Sequence, residues 1–148
     1  MARKELELWL KEAKNDFGMG DILLKEHIYN GAVFHFQQAA EKALKAILYL
    51  TNIQPWGHSI LSLFQEYEKS GHEVSEELKN YARSLDRHYT ASRYPDALPR
   101  ITPKEAYDRG IALALRKKTE AILEFVENEK TKEAEKEKAK EKEGELNE

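Results

Sequence analysis

The sequence predicts an all-α fold, an up-and-down bundle of four to five helices. Three observations carry that prediction. Ala, Leu, Glu and Lys dominate while Val occurs three times, a balance that favours helix over strand. Apolar residues recur at spacings of three and four, and no stretch sustains an alternation of period two. The segments so defined are joined by short connections, which make successive helices antiparallel neighbours.

The first segment, about 3–26, carries Leu6, Trp9, Leu10, Ala13, Phe17 and Leu24 between charges. Gly18 and Gly20 inside it permit a kink or the close approach of a neighbouring helix. Asn30-Gly31 punctuates. The second segment, about 32–51, is the most apolar, with Val33, Phe36, Ala39, Ala40, Ala43, Leu44, Ile47 and Leu48. Its small residues let another helix pack closely, so it is the expected central helix.

Ile53 to His58 reads as a loop. Ser59 then caps a short helix that uses Leu63, Phe64 and Tyr67 and closes near Gly71. Ser75 caps a fourth helix, whose Glu76 and Glu77 suit the helix dipole. It runs through Leu78, Tyr81, Ala82 and Leu85 towards Tyr89. Pro95 and Pro99 forbid regular helix across 93–99. Thr102-Pro103-Lys104-Glu105 reads as a capping box with Pro at the first helical position. It is expected to open a long last helix through Ala106, Tyr107, Ile111, Ala114, Leu115, Ile122 and Phe125.

A chain of 148 residues has room for one domain. Its charge is unevenly placed, because 15 of the 22 residues from Glu127 to Glu148 are Lys or Glu. Of the 24 basic and 27 acidic residues, 6 and 9 lie there, leaving 18 of each in 1–126. The formal net charge of −3 therefore belongs to the tail. The expected organisation is a helical bundle over 1–126 and a Lys/Glu-rich tail over 127–148. With no apolar face, that tail would be frayed helix or disorder.

A charge-balanced body lacks the bulk basic excess of a duplex-binding protein, while leaving room for a local basic groove. Without Cys there is no disulfide framework, thiolate nucleophile or Cys-based zinc site. Met-Ala-Arg-Lys-Glu-Leu-Glu is too charged for a secretory signal. The uncharged run between Lys45 and Glu66 is broken by Asn52, Gln54, Pro55, Gly57 and His58, unlike a membrane span. The expectation is a soluble cytoplasmic protein with no membrane association. Absent Cys, four Gln and abundant Lys and Glu suit a thermophile.

Three features are candidates for chemistry. On the central helix Gln38, Glu41, Lys42 and Lys45 stand three, four and seven residues apart, on one polar stripe opposite the alanines. Semi-buried, they would hydrogen-bond a ligand; exposed, they are a solvated face with Glu41 and Lys45 as an i,i+4 pair. Second, Leu85 to Asp96 packs Arg87, His88, Tyr89, Arg93, Tyr94 and Asp96 into the end of a helix and its exit loop. Arg suits phosphate and aromatic rings suit bases, and a loop held by a rigid bundle is a common seat of function. The plainer alternative is a loop pinned by its own salt bridges and tyrosines.

Third, Arg83 and His88 are residue types that cleave RNA without metal. The imidazole moves the proton and the guanidinium stabilises the phosphorane. Five residues on a helix turn through about 500°, so the two point roughly 140° apart while Arg83 and Arg87 nearly align. A catalytic pair therefore needs helix unwinding near His88 or a residue from a partner subunit. Gly18-x-Gly20 lies in a helix and is no dinucleotide loop. The five His show no ligand-like pairing, so neither a metal nor a cofactor is expected.

Several of these residues together resemble HEPN domains, small all-helical proteins. The resemblance spans about 5–126 and rests on Trp9, Ala13, Ala32 and the run His35-x-Gln37-Gln38-Ala39-Ala40-Glu41-Lys42-Ala43-Leu44-Lys45. It continues through His58 with Leu61, Leu85-Asp86-x-x-Tyr89 and Arg93-Tyr94-Pro95-Asp96. It implies a bundle of four or five helices that usually forms a homodimer. Such chains are often encoded beside a minimal nucleotidyltransferase, as its substrate-binding subunit, and many relatives belong to toxin–antitoxin pairs.

Catalytic members are metal-independent ribonucleases with an Arg and a His at a dimer cleft, which maps onto Arg83 and His88. Their Arg is typically followed by Asn or another small polar residue, a position held here by Ser84. The Arg-Tyr-Pro version resembles the nucleotide-binding branch more closely. The resulting expectation is a non-catalytic protein that binds nucleotide or nucleic-acid phosphate. Its site would comprise Gln38, Glu41, Lys42, Lys45, Arg87, Arg93, Tyr94 and Asp96. The alternative is a ribonuclease toxin using Arg83 and His88.

Overall fold

Helix α2 (Tyr29–Leu48) is the axis around which the other helices pack. Thirteen of its twenty residues are buried, more than the single apolar face of a surface helix provides. The computed structural model describes residues 2–146 and shows no strand among them. Helix α1 (Ala2–Lys25) runs along α2 and buries Leu6, Leu10, Ala13 and Leu24. A Cβ added at Gly20 would lie 2.4 Å from the Phe36 ring, so the two helices approach where only glycine fits.

Helix α7 (Arg109–Leu146) covers another side of α2 with Ala112, Leu115, Thr119, Ile122 and Val126. There Thr119 Oγ1 donates to the Phe36 carbonyl at 3.1 Å. Helices α3 (Ile60–Lys69) and α4 (Glu76–Asp86) close the bundle, burying Phe64, Tyr67, Ala82 and Leu85. Single turns α5 (His88–Ala91) and α6 (Pro103–Ala106) and 3-10 turns at Tyr49–Thr51 and Pro95–Ala97 fill the connections. No helix among the described residues is long and apolar enough to cross a membrane.

The helix starts follow their caps. Ser59 accepts from the Ser62 amide and Ser75 from the Leu78 amide. Asp86, at the end of α4, adds a carboxylate to the start of α3, accepting from Ile60 N at 2.7 Å, Leu61 N at 3.1 Å and Ser59 Oγ at 3.0 Å. A carboxylate suits those free amides and the positive end of the dipole, and it ties α4 to α3.

Two expectations are corrected. Asn30-Gly31 is not the break between the first two helices, because both lie in the first turn of α2. The chain turns earlier, with His27 at φ 63°, and Gly31 is a close approach to Leu23 instead. The capping box at Thr102 and Glu105 forms, but it opens only one turn. Tyr107 is extended, with its side chain drawn into the bundle, and α7 starts anew with Asp108 Oδ1 accepting from Ile111 N at 2.8 Å.

The expected boundary at 126 lies within α7. Past Val126, Glu129 is buried and accepts from Tyr67 Oη at 3.1 Å, and His72 Nε2 donates to Glu133 at 3.2 Å. Lys130 pairs with Glu7 and Arg3 with Glu137. Charged side chains reaching the bundle therefore hold these turns in helix without an apolar face. Every described residue after Ala134 is exposed. Asn147 and Glu148 lie outside the described residues.

Candidate functional site

The polar stripe expected on α2 does not form one surface. Lys42 turns to α1, where its Nζ lies 2.5 Å from Oδ2 of buried Asp16, whose Oδ1 accepts from His35 Nδ1 at 2.9 Å. Lys45 lies over the Trp9 ring at 5.5 Å, with Nζ 3.4 Å from Glu41. Glu41, the acceptor of that ion pair, is buried, with only 2% of it exposed. His58 Nδ1 donates to Glu41 Oε1 at 3.0 Å, so a buried carboxylate orients an exposed imidazole. Gln38 lies beside this network and donates to Gln37 Oε1 at 2.7 Å, while Gln37 is wholly buried near the His58 carbonyl.

His58 continues the site towards the exit loop. Its ring stacks on Tyr89 at 4.8 Å, and Tyr89 in turn lies under the Arg93 guanidinium at 4.6 Å. Arg93 also lies over Phe34 at 4.5 Å and Tyr94 at 4.9 Å. Its Nε donates to the Tyr89 carbonyl at 3.2 Å. No carboxylate among the described residues pairs with it. Each aromatic contact stabilises the cation by roughly 0.5–2 kcal/mol while leaving its forked N–H edge available to an anion. Tyr94 and Asp96 are exposed, Asp96 on the Pro95–Ala97 turn, and Arg87 is exposed at the end of α4.

Arg83 and His88 have separate partners. Arg83 donates to Asn80 at 2.6 Å and lies 3.7 Å from Glu76. His88 is half-buried, with Nδ1 2.6 Å from Tyr107 Oη, at the break between α6 and α7 that the capping box did not foretell. Burial lowers the His88 pKa, and the charges of Arg87 and Lys118 lower it further. Burial also pushes the Tyr107 phenol up to about 12, so it stays protonated. Whichever proton lies between them, Nδ1 is engaged and Nε2 is the nitrogen left to face a ligand. Lys118 Nζ donates to Ser84 Oγ at 2.9 Å.

The structure thus gathers Glu41, Gln38, Arg93 and Tyr94 near one end of the bundle, keeps Lys45 bonded to Glu41 while it lies over Trp9, and leaves Lys42 facing α1. It adds Phe34 and His58, which sequence reasoning did not include in the site, and it uses Tyr89 of the Leu85–Asp96 candidate loop. His58 stood after Trp56-Gly57 in a loop, and nothing local shows that Glu41, seventeen residues earlier, holds its ring. Tyr107 was read as a helix residue. Among the described residues, no cluster of three or more His, Cys, Asp or Glu is placed to hold a metal ion.

The chain is similar to proteins of known family. The HEPN domain family matches residues 6–130. A Methanocaldococcus jannaschii protein named "Putative toxin MJ1304" is 32% identical over 133 residues, covering 84% of this chain and 88% of that one. The crystal structure of TT1696 from Thermus thermophilus superposes with a TM-score of 0.82 at 35% identity, over 87% of this chain and 99% of its own. ST0689, an archaeal HEPN homologue, gives 0.71 at 31% identity, over 84% and 96%. A HEPN domain protein from Thermotoga maritima gives 0.64 at 36% identity, over 81% and 94%. A match across almost the whole bundle and the shared all-helical architecture lead to one conclusion: the chain belongs to the HEPN domain family.

Proposed function

We propose that this HEPN protein binds a nucleotide or nucleic-acid phosphate and acts as the substrate-binding partner of a minimal nucleotidyltransferase, in a toxin–antitoxin-like pair. One observation carries the reading. The Arg93 guanidinium is braced by Phe34, Tyr89 and Tyr94, takes no carboxylate among the described residues, and keeps both terminal nitrogens without a protein partner there. A pre-oriented fork of this kind matches two phosphate oxygens. Glu41 and His58 hold the adjoining wall. The protein works as a homodimer in this proposal, with both exit loops available to the partner enzyme.

Calorimetric titration with nucleoside triphosphates tests it. A charge-assisted contact contributes about 1.5–3 kcal/mol, so Arg93→Ala weakens binding roughly 10- to 150-fold. Absence of binding for every triphosphate, with no difference between the wild type and Arg93→Ala, refutes the reading. The partner arm is tested by co-purification with a nucleotidyltransferase encoded beside this chain, and the dimer by sedimentation.

A second reading, a metal-independent ribonuclease, is favoured by His88. It has a lowered pKa, an engaged Nδ1 and an unpartnered Nε2 among the described residues, an arrangement suited to proton transfer. The toxin in the name of the Methanocaldococcus relative fits it. Arg83 points to Asn80 and Glu76, so a phosphate-stabilising Arg must come from reorientation or a second protomer. This reading requires RNA cleavage in the presence of a chelator that disappears in His88→Ala; cleavage that survives the substitution excludes it.

A further inference from the structure

A cavity beside the Arg93 stack has the chemistry of a nucleobase pocket. It lies between the α2–α3 loop and α3, with a volume of about 440 Å³, within the range typical of small-molecule sites, about 300–1,000 Å³. Leu48, Ile53 and Leu63 give it an apolar floor. Trp56 stands at its edge with 86% of its surface exposed, although an indole is a large apolar group ordinarily much buried. Gly57, at φ 85°, lets the chain turn there without a side chain in the way.

Ser62 and Glu66, one helical turn apart on α3, supply polar groups at the cavity rim. Glu66 Oε1 is held by Lys69 at 3.3 Å, which leaves Oε2 to accept from a ligand. His58 lines the same cavity and stacks on Tyr89, on which Arg93 also lies. Two stacked rings, His58 and Tyr89, thus lie between the cavity and the guanidinium.

We propose that this cavity receives the base of the nucleotide whose phosphate meets Arg93, with the ring on the Trp56 indole and an exocyclic amino group donating to Glu66. The inference rests on the phosphate-binding reading above and deepens it. Base–aromatic stacking tolerates every base, while a carboxylate acceptor selects bases that carry an amino donor. Adenine, cytosine and guanine carry such a group; uracil, which has only carbonyls outside its ring, does not.

The test uses the full chain and four probes: ATP, UTP, inorganic tripolyphosphate and a short oligoadenylate. Trp56→Ala is expected to weaken ATP at least tenfold and leave tripolyphosphate within twofold, while Trp56→Phe stays within threefold of the wild type for ATP. Glu66→Gln is expected to narrow the preference for ATP over UTP. Arg93→Ala is expected to weaken ATP and tripolyphosphate alike. Helical circular dichroism shows that each variant is folded.

ATP affinity unchanged in Trp56→Ala but lost in Arg93→Ala overturns the base pocket and leaves phosphate binding standing. Failure of both ATP and tripolyphosphate to bind the wild type overturns both. Oligoadenylate binding tighter than ATP attributes the base to RNA, and the reverse attributes it to a free nucleotide; either order supports the pocket when Trp56→Ala removes it.

Discussion

Gly18 and Gly20 occupy the same helix two residues apart, and the structure gives them opposite responses to one methyl group. A Cβ at Gly18 meets nothing within 4 Å, whereas one at Gly20 meets Phe36 ring atoms at 2.4 and 2.6 Å. Carbon atoms in contact prefer about 3.5–4.0 Å, so the second case is short by about 1 Å. Phe36 has no room to retreat, being wholly buried with Phe17 at 5.4 Å on its ring. Replacing Gly by Ala in a helix gains about 0.8–1 kcal/mol from backbone propensity at either site.

Overpacking a core costs about 1–3 kcal/mol, and this term falls on Gly20→Ala alone. Subtracting one variant from the other cancels the propensity gain, so Gly20→Ala is expected to be about 1–3 kcal/mol less stable than Gly18→Ala. For a chain of this size that is a melting point lower by roughly 3–12 °C. Urea and thermal unfolding followed by circular dichroism measure it. Phe36→Leu in the Gly20→Ala background should recover part of the loss, since the two positions share one contact. Equal stability of the two glycine variants would refute the close α1–α2 crossing on which the placement of α2, and so of Glu41 and Phe34, depends.

Three further outcomes follow from the same kind of accounting. The Ser92 hydroxyl is buried without a partner among the described residues, so Ser92→Ala should be neutral or stabilise by up to about 1 kcal/mol; a loss above that in chemical unfolding contradicts the geometry. His88 binds its proton less readily folded than unfolded, so its contribution to stability is full above the ordinary histidine pKa and is lost as pH falls through that value towards the lowered one. His88→Gln should flatten that part of the stability–pH profile, and an unchanged slope between pH 5 and about 6.5 counts against it. Ending the chain at Asn128 removes Glu129 and Glu133 from Tyr67 and His72 and should cost about 1–3 kcal/mol, whereas ending it at Lys136 should cost under about 0.5; equal melting points for the two refute the docking of the extension.

Local signals in the sequence reached far for the fold because they act over a few residues. The caps at Ser59 and Ser75 and the capping box at Thr102 each depend on a side chain reaching an amide three residues on, and all three form. The apolar character of α2 likewise marked it as central. What escaped was set by distant partners. Asp86 caps a helix about 25 residues earlier, and Tyr107 leaves its helix because its side chain is buried and its hydroxyl meets His88.

The site divides the same way. Arg93 and Tyr94 stood out because an Arg among aromatics is informative wherever it folds. Lys42 and Lys45 shared the stripe's spacing with Glu41, but buried Asp16 draws Lys42 to α1, while Glu41 and the Trp9 ring engage Lys45. Spacing on a helix shows which side chains share a face; the neighbouring helix decides which of them a ligand can reach.

The one-turn helix α5 separates the two functional readings in space. His88 and Tyr89 are consecutive, so their side chains leave the backbone about 100° apart. One goes to Tyr107 beside α7, the other to His58 and Arg93 beside α2 and the α2–α3 loop. Binding through Arg93 and proton transfer through His88 therefore use different walls. Arg93→Ala should spare a His88-dependent cleavage of RNA that does not need the aromatic stack, and His88→Ala should spare triphosphate binding. Loss of both activities in both variants would instead mean that the walls form one cleft, as a second protomer supplying Arg83 opposite His88 would make them. The net charge of −3 decides nothing between these outcomes. Many of the cations it counts are held by carboxylates, as Lys42, Lys79 and Arg116 are, whereas Arg93 rests on rings that compensate its burial without neutralising its charge.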